Sequence, residues 1–151
     1  MRLSSLICCL LMTAVPAQSQ ELVGEWDCVV PGADLVTYRA GYGVDGRFET
    51  FMIAMGEHEG QQVSVDLLVQ GRWRIDDGKL HENLSRVTVQ TLYLGDDDVT
   101  RSARGAPLRQ AIEATAAEDP APAPIAFEGY DRFRLDGSQR RMTCERVRVV
   151  E

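Results

Sequence analysis

The stretch VSVDLLVQGRWRI, residues 63–75, alternates between apolar and polar side chains over most of its length. The apolar side chains occupy the odd-numbered positions: Val63, Val65, Leu67, Val69, Trp73 and Ile75. The even-numbered positions are mostly polar: Ser64, Asp66, Gln70, Arg72 and Arg74. A period of two residues is typical of a β-strand with one face in the protein core. This stretch therefore predicts a long strand whose odd-numbered side chains point inward.

Turn signals divide the rest of the chain into further strands. Asp45-Gly46, Asp77-Gly78 and Asp136-Gly137 supply residues that tolerate the positive φ values of tight hairpins. We predict strands over residues 22–30, 35–43, 47–55, 63–75, 79–94, 126–135 and 140–149, the fifth of them bent or broken in two. Seven or eight antiparallel strands at this spacing predict an all-β fold: a meander, a sandwich or a barrel.

One segment departs from the strand pattern. The run PLRQAIEATAA, residues 107–117, begins with a proline suited to a first helical turn and continues with strong helix formers. Leu108, Ala111, Ile112 and Thr115 share one face at helical spacing. We therefore predict one short helix before the C-terminal hairpin. The proline-rich residues 120–124 are typical of a stiff connector within one domain.

Residues 1–17 have the pattern of an export signal: Arg2, an apolar run over residues 6–15, and then small residues. We expect cleavage after Ala17 or after Ser19, so the predicted mature domain covers residues 18–151. Because no later apolar run is long enough to span a bilayer, we expect a soluble protein without a transmembrane segment. The signal places it in the periplasm or outside the cell.

The cysteines support this compartment. Loss of Cys8 and Cys9 with the signal leaves Cys28 and Cys144, which predicts a disulfide between the two ends of the domain. If these cysteines lie opposite each other in an antiparallel pair of strands, Trp26 faces Arg146 and Gly24 faces Arg148. An arginine over an indole ring is favourable, and Gly24 would leave room for it. Gly24, Trp26 and Arg146 are therefore predicted to have a structural role at the seam where the barrel closes.

Three short motifs carry a resemblance to a known group. LVGEWDC (residues 22–28), Y-x-x-GYGVDGRF (38–48) and GRWRIDDGKL (71–80) resemble the secreted lipocalin-like, calycin-type domains of bacteria. The resemblance implies an up-and-down antiparallel β-barrel of about eight strands with an interior for a small apolar ligand. It also implies that the tryptophan of the first strand packs against a late arginine.

No catalytic or metal-binding motif is present, so we predict neither an enzyme nor a cofactor. His58 and His81 lack the spacing of a metal site, and Asp96, Asp97 and Asp98 lack the rest of a calcium loop. Glu57 and Glu59 have no feature that would separate their pKa values for acid–base catalysis. The formal net charge of −7 argues against nucleic acid as a partner.

Two classes of function remain. In the first, the protein binds a small hydrophobic molecule inside the barrel; the predicted ligand-binding residues are Phe51, Ile53, Val65, Leu67, Val69 and Phe133. In the second, it is a protein-binding module, such as an inhibitor that attracts a basic enzyme to its acidic surface.

Six arginines lie close together near the C-terminus, and their role is a further open question: Arg132, Arg134, Arg140, Arg141, Arg146 and Arg148. Either neighbouring acids neutralise them or they hold an anionic group.

Overall fold

The computed structural model describes residues 17–31 and 37–148. Its helices are α1 (Ala17–Leu22) and α2 (Ala106–Ala116). Its strands are β1 (Gly24–Val29), β2 (Thr37–Tyr42), β3 (Arg47–His58), β4 (Gln61–Asp76), β5 (Lys79–Leu94), β6 (Asp97–Asp98), β7 (Ala123–Phe127), β8 (Arg132–Asp136) and β9 (Arg141–Arg146). Neither helix in this described part of the chain is long and apolar enough to cross a membrane.

Eight of these strands form a closed antiparallel barrel. The order around the barrel is β1, β2, β3, β4, β5, β7, β8 and β9, and β9 pairs with β1 to close it. The two residues of β6 pair with the end of β5, outside the closed ring. The all-β barrel with one short helix before the last strands is therefore confirmed.

The structure corrects one strand prediction and decides between the two alternatives given for another. The strand predicted over residues 126–135 is two strands, β7 and β8, because Gly129 adopts a positive φ of 82° and reverses the chain. The fifth strand was predicted to be bent or broken in two, and β5 is a single strand whose register with β4 shifts at two places. β-Bulges therefore bend this strand without interrupting it.

Large side chains pack the interior of the barrel. Trp26 and Phe133 are fully buried, and their rings meet edge to face with centroids 4.7 Å apart. Fifteen further buried residues belong to the same cluster, among them Phe48, Trp73 and Leu135. Burial of this much apolar surface stabilises the fold, and protein interiors of this kind are generally close-packed.

The strands of the barrel differ in length. β3 has 12 residues and β4 and β5 have 16 each, whereas β1 and β2 have six. The part of β3, β4 and β5 beyond the barrel packs a second cluster of buried residues. Six of them lie on β4 and β5, and Val99 follows β6: Val63, Val65, Leu67, Val89, Leu92, Leu94 and Val99. Leu108 and Ile112 of α2 pack against this cluster. We call this part, together with α2, the extension.

The seam between β1 and β9 has the predicted register. Cys28 lies opposite Cys144 and forms a disulfide with it, and Trp26 lies opposite Arg146. The guanidinium carbon of Arg146 is 4.2 Å from the centroid of the Trp26 ring. The cation–π contact predicted from the cysteine positions is therefore confirmed.

The predicted pairing of Gly24 with Arg148 is wrong. β9 ends at Arg146, and Arg148 forms an ion pair with Asp131 at 2.9 Å. The guanidinium of Arg146 itself lies over Gly24, where a Cβ would collide with Nη1. Gly24 also has a φ of 135°, which disfavours any other residue. The glycine thus makes room for Arg146, as expected, although not through Arg148.

Arg146 also ties α1 to the barrel. Its side chain donates hydrogen bonds to the carbonyl oxygens of Glu21 (2.7 Å) and Val23 (2.8 Å). The indole N–H of Trp26 donates to the carbonyl of Leu22 at 2.8 Å, and the Leu22 side chain is fully buried. These bonds satisfy carbonyl groups at the end of α1 that the helix itself leaves unpaired.

Candidate functional site

An apolar groove separates α2 from the strands of the extension. It has a volume of about 360 Å³ and is lined by Ala54, Val65, Leu67, Ala111, Ile112, Thr115 and Ala116. Two of the predicted ligand-binding residues, Val65 and Leu67, therefore lie together in its floor. The helix supplies the opposite wall through the face predicted to be apolar.

Polar bonds to two bulges hold α2 over this floor. Asp66 pairs with Thr91 but Leu67 pairs with Val89, which leaves Gln90 as an extra residue in β5. The backbone N–H of Val89 donates to Glu113 of α2 at 3.0 Å. A carboxylate of the helix therefore satisfies a donor that the bulge frees.

The second bulge is capped in the same way. Gln70 pairs with Arg86 and Gly71 pairs with Leu84, so Ser85 is the extra residue. Asp119, just after α2, accepts a hydrogen bond from the backbone N–H of Leu84 at 2.6 Å. This bond and a second one from Asn83 lower the pKa of Asp119. Within α2, by contrast, no residue is buried. Polar contacts therefore anchor the helix while its apolar packing stays incomplete.

The other four predicted ligand-binding residues lie elsewhere. Val69 and Phe133 belong to the packed interior of the barrel. Phe51 and Ile53 were predicted to point inward, and this is wrong, because Phe48 and Thr50 are the buried positions of β3. The odd-numbered residues of this strand face outward, and Phe51 is 37% exposed.

Phe51 instead borders a charged depression on the outer face of the barrel. Arg39, Arg47, Glu49 and Arg72 also line this depression, which has a volume of about 800 Å³. Asp27 neutralises Arg39 at 2.7 Å, and Glu49 accepts a hydrogen bond from Gln70 at 2.7 Å. Side chains of both signs are mixed here, which is typical of a solvated surface.

A buried polar cluster, which we call the Glu82 cluster, was not predicted. It consists of Tyr38 and Tyr42 on β2, Glu82 on β5 and Arg140 between β8 and β9. The hydroxyl of Tyr42 donates to Glu82 at 2.6 Å, and Arg140 donates to the other carboxylate oxygen. Arg140 also donates to the hydroxyl of Tyr38 at 2.9 Å. Only 2% of the Glu82 side chain and 13% of the Arg140 side chain are exposed.

The charge states of this cluster follow from its burial. Burial raises the pKa of Tyr38. Burial together with the charge of Glu82 raises the pKa of Tyr42 well above its ordinary value. Burial alone would lower the pKa of Arg140, but the surrounding oxygens of Tyr38, Glu82 and Tyr42 outweigh it and raise the pKa. Arg140 is therefore a permanent cation between neutral phenols.

A signal for this cluster was present in the sequence. Glu82 lies between Leu80 and Leu84 at a spacing of two, so period two places it on the inner face of β5. Tyr38, Ala40 and Tyr42 share the inner face of β2 in the same way. Thr50 also points inward, opposite Ala40, and its buried hydroxyl makes no hydrogen bond of normal geometry with the residues that the structure describes.

The C-terminal arginines have separate environments. Arg132 pairs with Glu145, Arg134 pairs with Glu128 and Asp136, and Arg148 pairs with Asp131. Neighbouring acids thus neutralise these three arginines, in agreement with the first of the two alternatives. Arg140 and Arg146 contact the inside and the seam of the barrel instead.

The two histidines weighed as metal ligands lie in different parts of the fold. Glu57, His58 and Glu59 are exposed at the turn between β3 and β4, whereas His81 contacts Arg74 at 3.4 Å. Within residues 17–31 and 37–148, no three His, Cys, Asp or Glu side chains are grouped in a way that could hold a metal ion.

No protein-family model matches the chain. No curated protein matches it either.

Proposed function

We propose that the protein is an exported, lipocalin-like binding protein that holds a small apolar molecule in the groove beneath α2. The observation that carries this proposal is the lining of the groove: six of its seven residues are apolar, and Thr115 is the exception. A concave, largely apolar surface is the usual form of a site for a small molecule.

The barrel interior is a weaker candidate for the same ligand. Trp26, Trp73 and Phe133 already occupy it together with the rest of the first cluster. A ligand there would have to displace close-packed rings, and this costs more than filling an open groove. The volume of about 360 Å³ lies at the small end of the range for ligand sites, so the molecule is small.

The attachment of α2 supports entry of a ligand. Because none of its residues is buried, the helix loses little packing of its own side chains when it shifts. The hydrogen bonds from Val89 to Glu113 and from Leu84 to Asp119 then act as tethers at the middle of the helix and just after its end.

Saturable binding of a hydrophobic fluorescent dye tests this proposal. Ala111→Trp fills the groove from the helix side and is expected to weaken dye binding at least tenfold. Ala114→Trp is the matched control, because Ala114 is an exposed alanine of the same helix that does not line the groove. Leu67→Arg, in the floor, should also abolish binding. Dye binding that does not saturate, or that both tryptophan variants leave unchanged, would contradict the proposal.

One observation favours a protein partner as the second candidate function. Residues 48–71 contain Glu49, Glu57, Glu59 and Asp66 but no lysine or arginine, and the tip of this hairpin projects beyond the barrel. Such a surface attracts a basic protein. Mass spectrometry of the protein purified from its own cells separates the two functions. A recurrent small molecule supports the groove, whereas one recurrent basic protein supports the hairpin.

A further inference from the structure

The Glu82 cluster brings together groups from three separate parts of the chain. Tyr38 and Tyr42 belong to β2, and Glu82 belongs to β5. Arg140 belongs to the short connection over residues 137–140, whose ends are joined by a hydrogen bond from Gly137 to Arg140. The two tyrosines and the carboxylate are therefore built into the barrel wall, whereas the cation is carried on a turn.

The wall groups match a planar cation with two donors. One N–H of the Arg140 guanidinium reaches Glu82, and another reaches the hydroxyl of Tyr38. The Tyr42 hydroxyl fills the remaining carboxylate oxygen of Glu82 at 2.6 Å. A guanidinium presents such donors in a fixed plane, whereas an ammonium is a point charge without that geometry.

Removing the cation from Tyr38, Tyr42 and Glu82 without replacing it costs a large free energy. A carboxylate that is 2% exposed and loses its partner becomes an uncompensated buried charge. Replacement of one guanidinium by another keeps the charge balance, and the released Arg140 side chain regains its hydration. Exchange of cations is therefore the least costly way to move Arg140 out of the barrel.

We propose that Tyr38, Tyr42 and Glu82 form a binding site for a small organic cation bearing a guanidinium or amidinium group, which Arg140 occupies in the free protein. Because Arg140 is tethered to its site, its effective concentration is high and a free cation competes at a disadvantage. Removal of Arg140 should therefore expose the full affinity of the site. The site is independent of the groove beneath α2.

Chemical rescue of Arg140→Ala by methylguanidinium tests the proposal. The variant is expected to unfold at a lower temperature than the wild type. Methylguanidinium at about 10 mM should raise that temperature by several degrees, far below the molar concentrations at which guanidinium salts denature proteins. Sodium chloride at the same concentration should not. Methylguanidinium should have no effect on the unfolding temperature of Arg134→Ala, which removes an exposed arginine of the same hairpin.

A second pair of variants tests whether the cation binds at the vacated position of Arg140 and depends on Glu82. Arg140→Met keeps the aliphatic stem, and it should bind methylguanidinium at least tenfold more tightly than the wild type. The double variant Arg140→Met/Glu82→Gln should lose this binding. If Arg140→Ala and Arg140→Met do not fold alone, refolding with methylguanidinium should recover them. The proposal is overturned if the cation neither stabilises nor recovers these variants beyond the effect of sodium chloride, or if the double variant binds equally well.

Discussion

The barrel and the extension bury apolar surface in different ways. In the barrel, aromatic side chains close the interior, and Trp26, Phe133, Leu135 and Cys144 have no exposed surface. In the extension, the sheet buries its valines and leucines under a helix of which no residue is itself buried. The first arrangement is typical of a stable core, and the second leaves an apolar surface within reach of a ligand.

The largest expected effect is a difference in the stability lost when a side chain is truncated in the barrel or in the extension. Phe133→Ala, in the barrel, should lower the free energy of unfolding by about 3–5 kcal/mol because it leaves a cavity in a close-packed core. Ile112→Ala, on α2, should cost clearly less because the isoleucine is only half-buried. Urea unfolding of the two variants provides the measurement. Equal losses would mean that the extension is as tightly packed as the barrel.

Removing the disulfide tests how much the seam contributes to the stability of the barrel. Replacing Cys28 and Cys144 with alanine should lower stability by about 2–5 kcal/mol, the usual cost of losing a native disulfide in a small domain. Intact mass and thiol titration of the wild type give the control, because both cysteines must be oxidised in the folded protein. Two free thiols in that protein would contradict the bond.

A smaller effect is expected from the contact of Arg146 with Trp26. Trp26→Phe and Arg146→Met, measured singly and together in denaturant, should show a coupling of about 0.5–2 kcal/mol. The distance of 4.2 Å from the guanidinium carbon to the ring centroid is the reason. As a control, Arg132→Met combined with Trp26→Phe should be additive, since Arg132 is occupied by Glu145. A coupling energy of zero between Trp26 and Arg146 would mean that the cation–π contact does not stabilise the seam.

The smallest expected effect is a loosening of α2 at low pH, when the hydrogen bonds to Asp119 weaken. The pKa of Asp119 is lowered in the folded protein, so its contribution to stability is present above the ordinary carboxyl pKa of about 4. That contribution is lost as the pH falls through the lowered value. The protection of α2 against hydrogen exchange, taken relative to the intrinsic exchange rate at each pH, should therefore fall on acidification before the protection of β1 and β9 does. Asp119→Asn should remove this acid-dependent step, whereas Asp136→Asn, at an exposed ion pair, should leave it intact.

The sequence revealed the seam better than the groove. A disulfide between known positions and a fixed antiparallel register are enough to place Trp26 against Arg146. Period two correctly assigned Val65 and Leu67 to an inner face. It did not distinguish the inside of the barrel from the extension, because both are buried faces of the same long strands.

The errors at Phe51 and Ile53 have a related cause. In β3, apolar residues occupy both faces, with Phe48 and Met52 at even positions and Phe51 and Ile53 at odd ones. Hydrophobicity alone therefore leaves the direction of these side chains open. Pairing with β2 decides it, since Phe48 lies opposite the buried Tyr42. The Glu82 cluster was missed because a charged residue at an inner position is rare.

Pairing of β1 with β9 also determines when folding can finish. The two cysteines at this seam are separated by 116 positions, so nearly the whole domain lies between strands that must meet. During synthesis β1 leaves the ribosome before the other eight strands that the structure describes, yet one of its edges has no partner until β9 emerges. Such distant pairing slows folding and exposes an unpaired strand edge in the meantime. A chain that stopped just before β9 could form every hairpin from β2 to β8 and still not close its barrel.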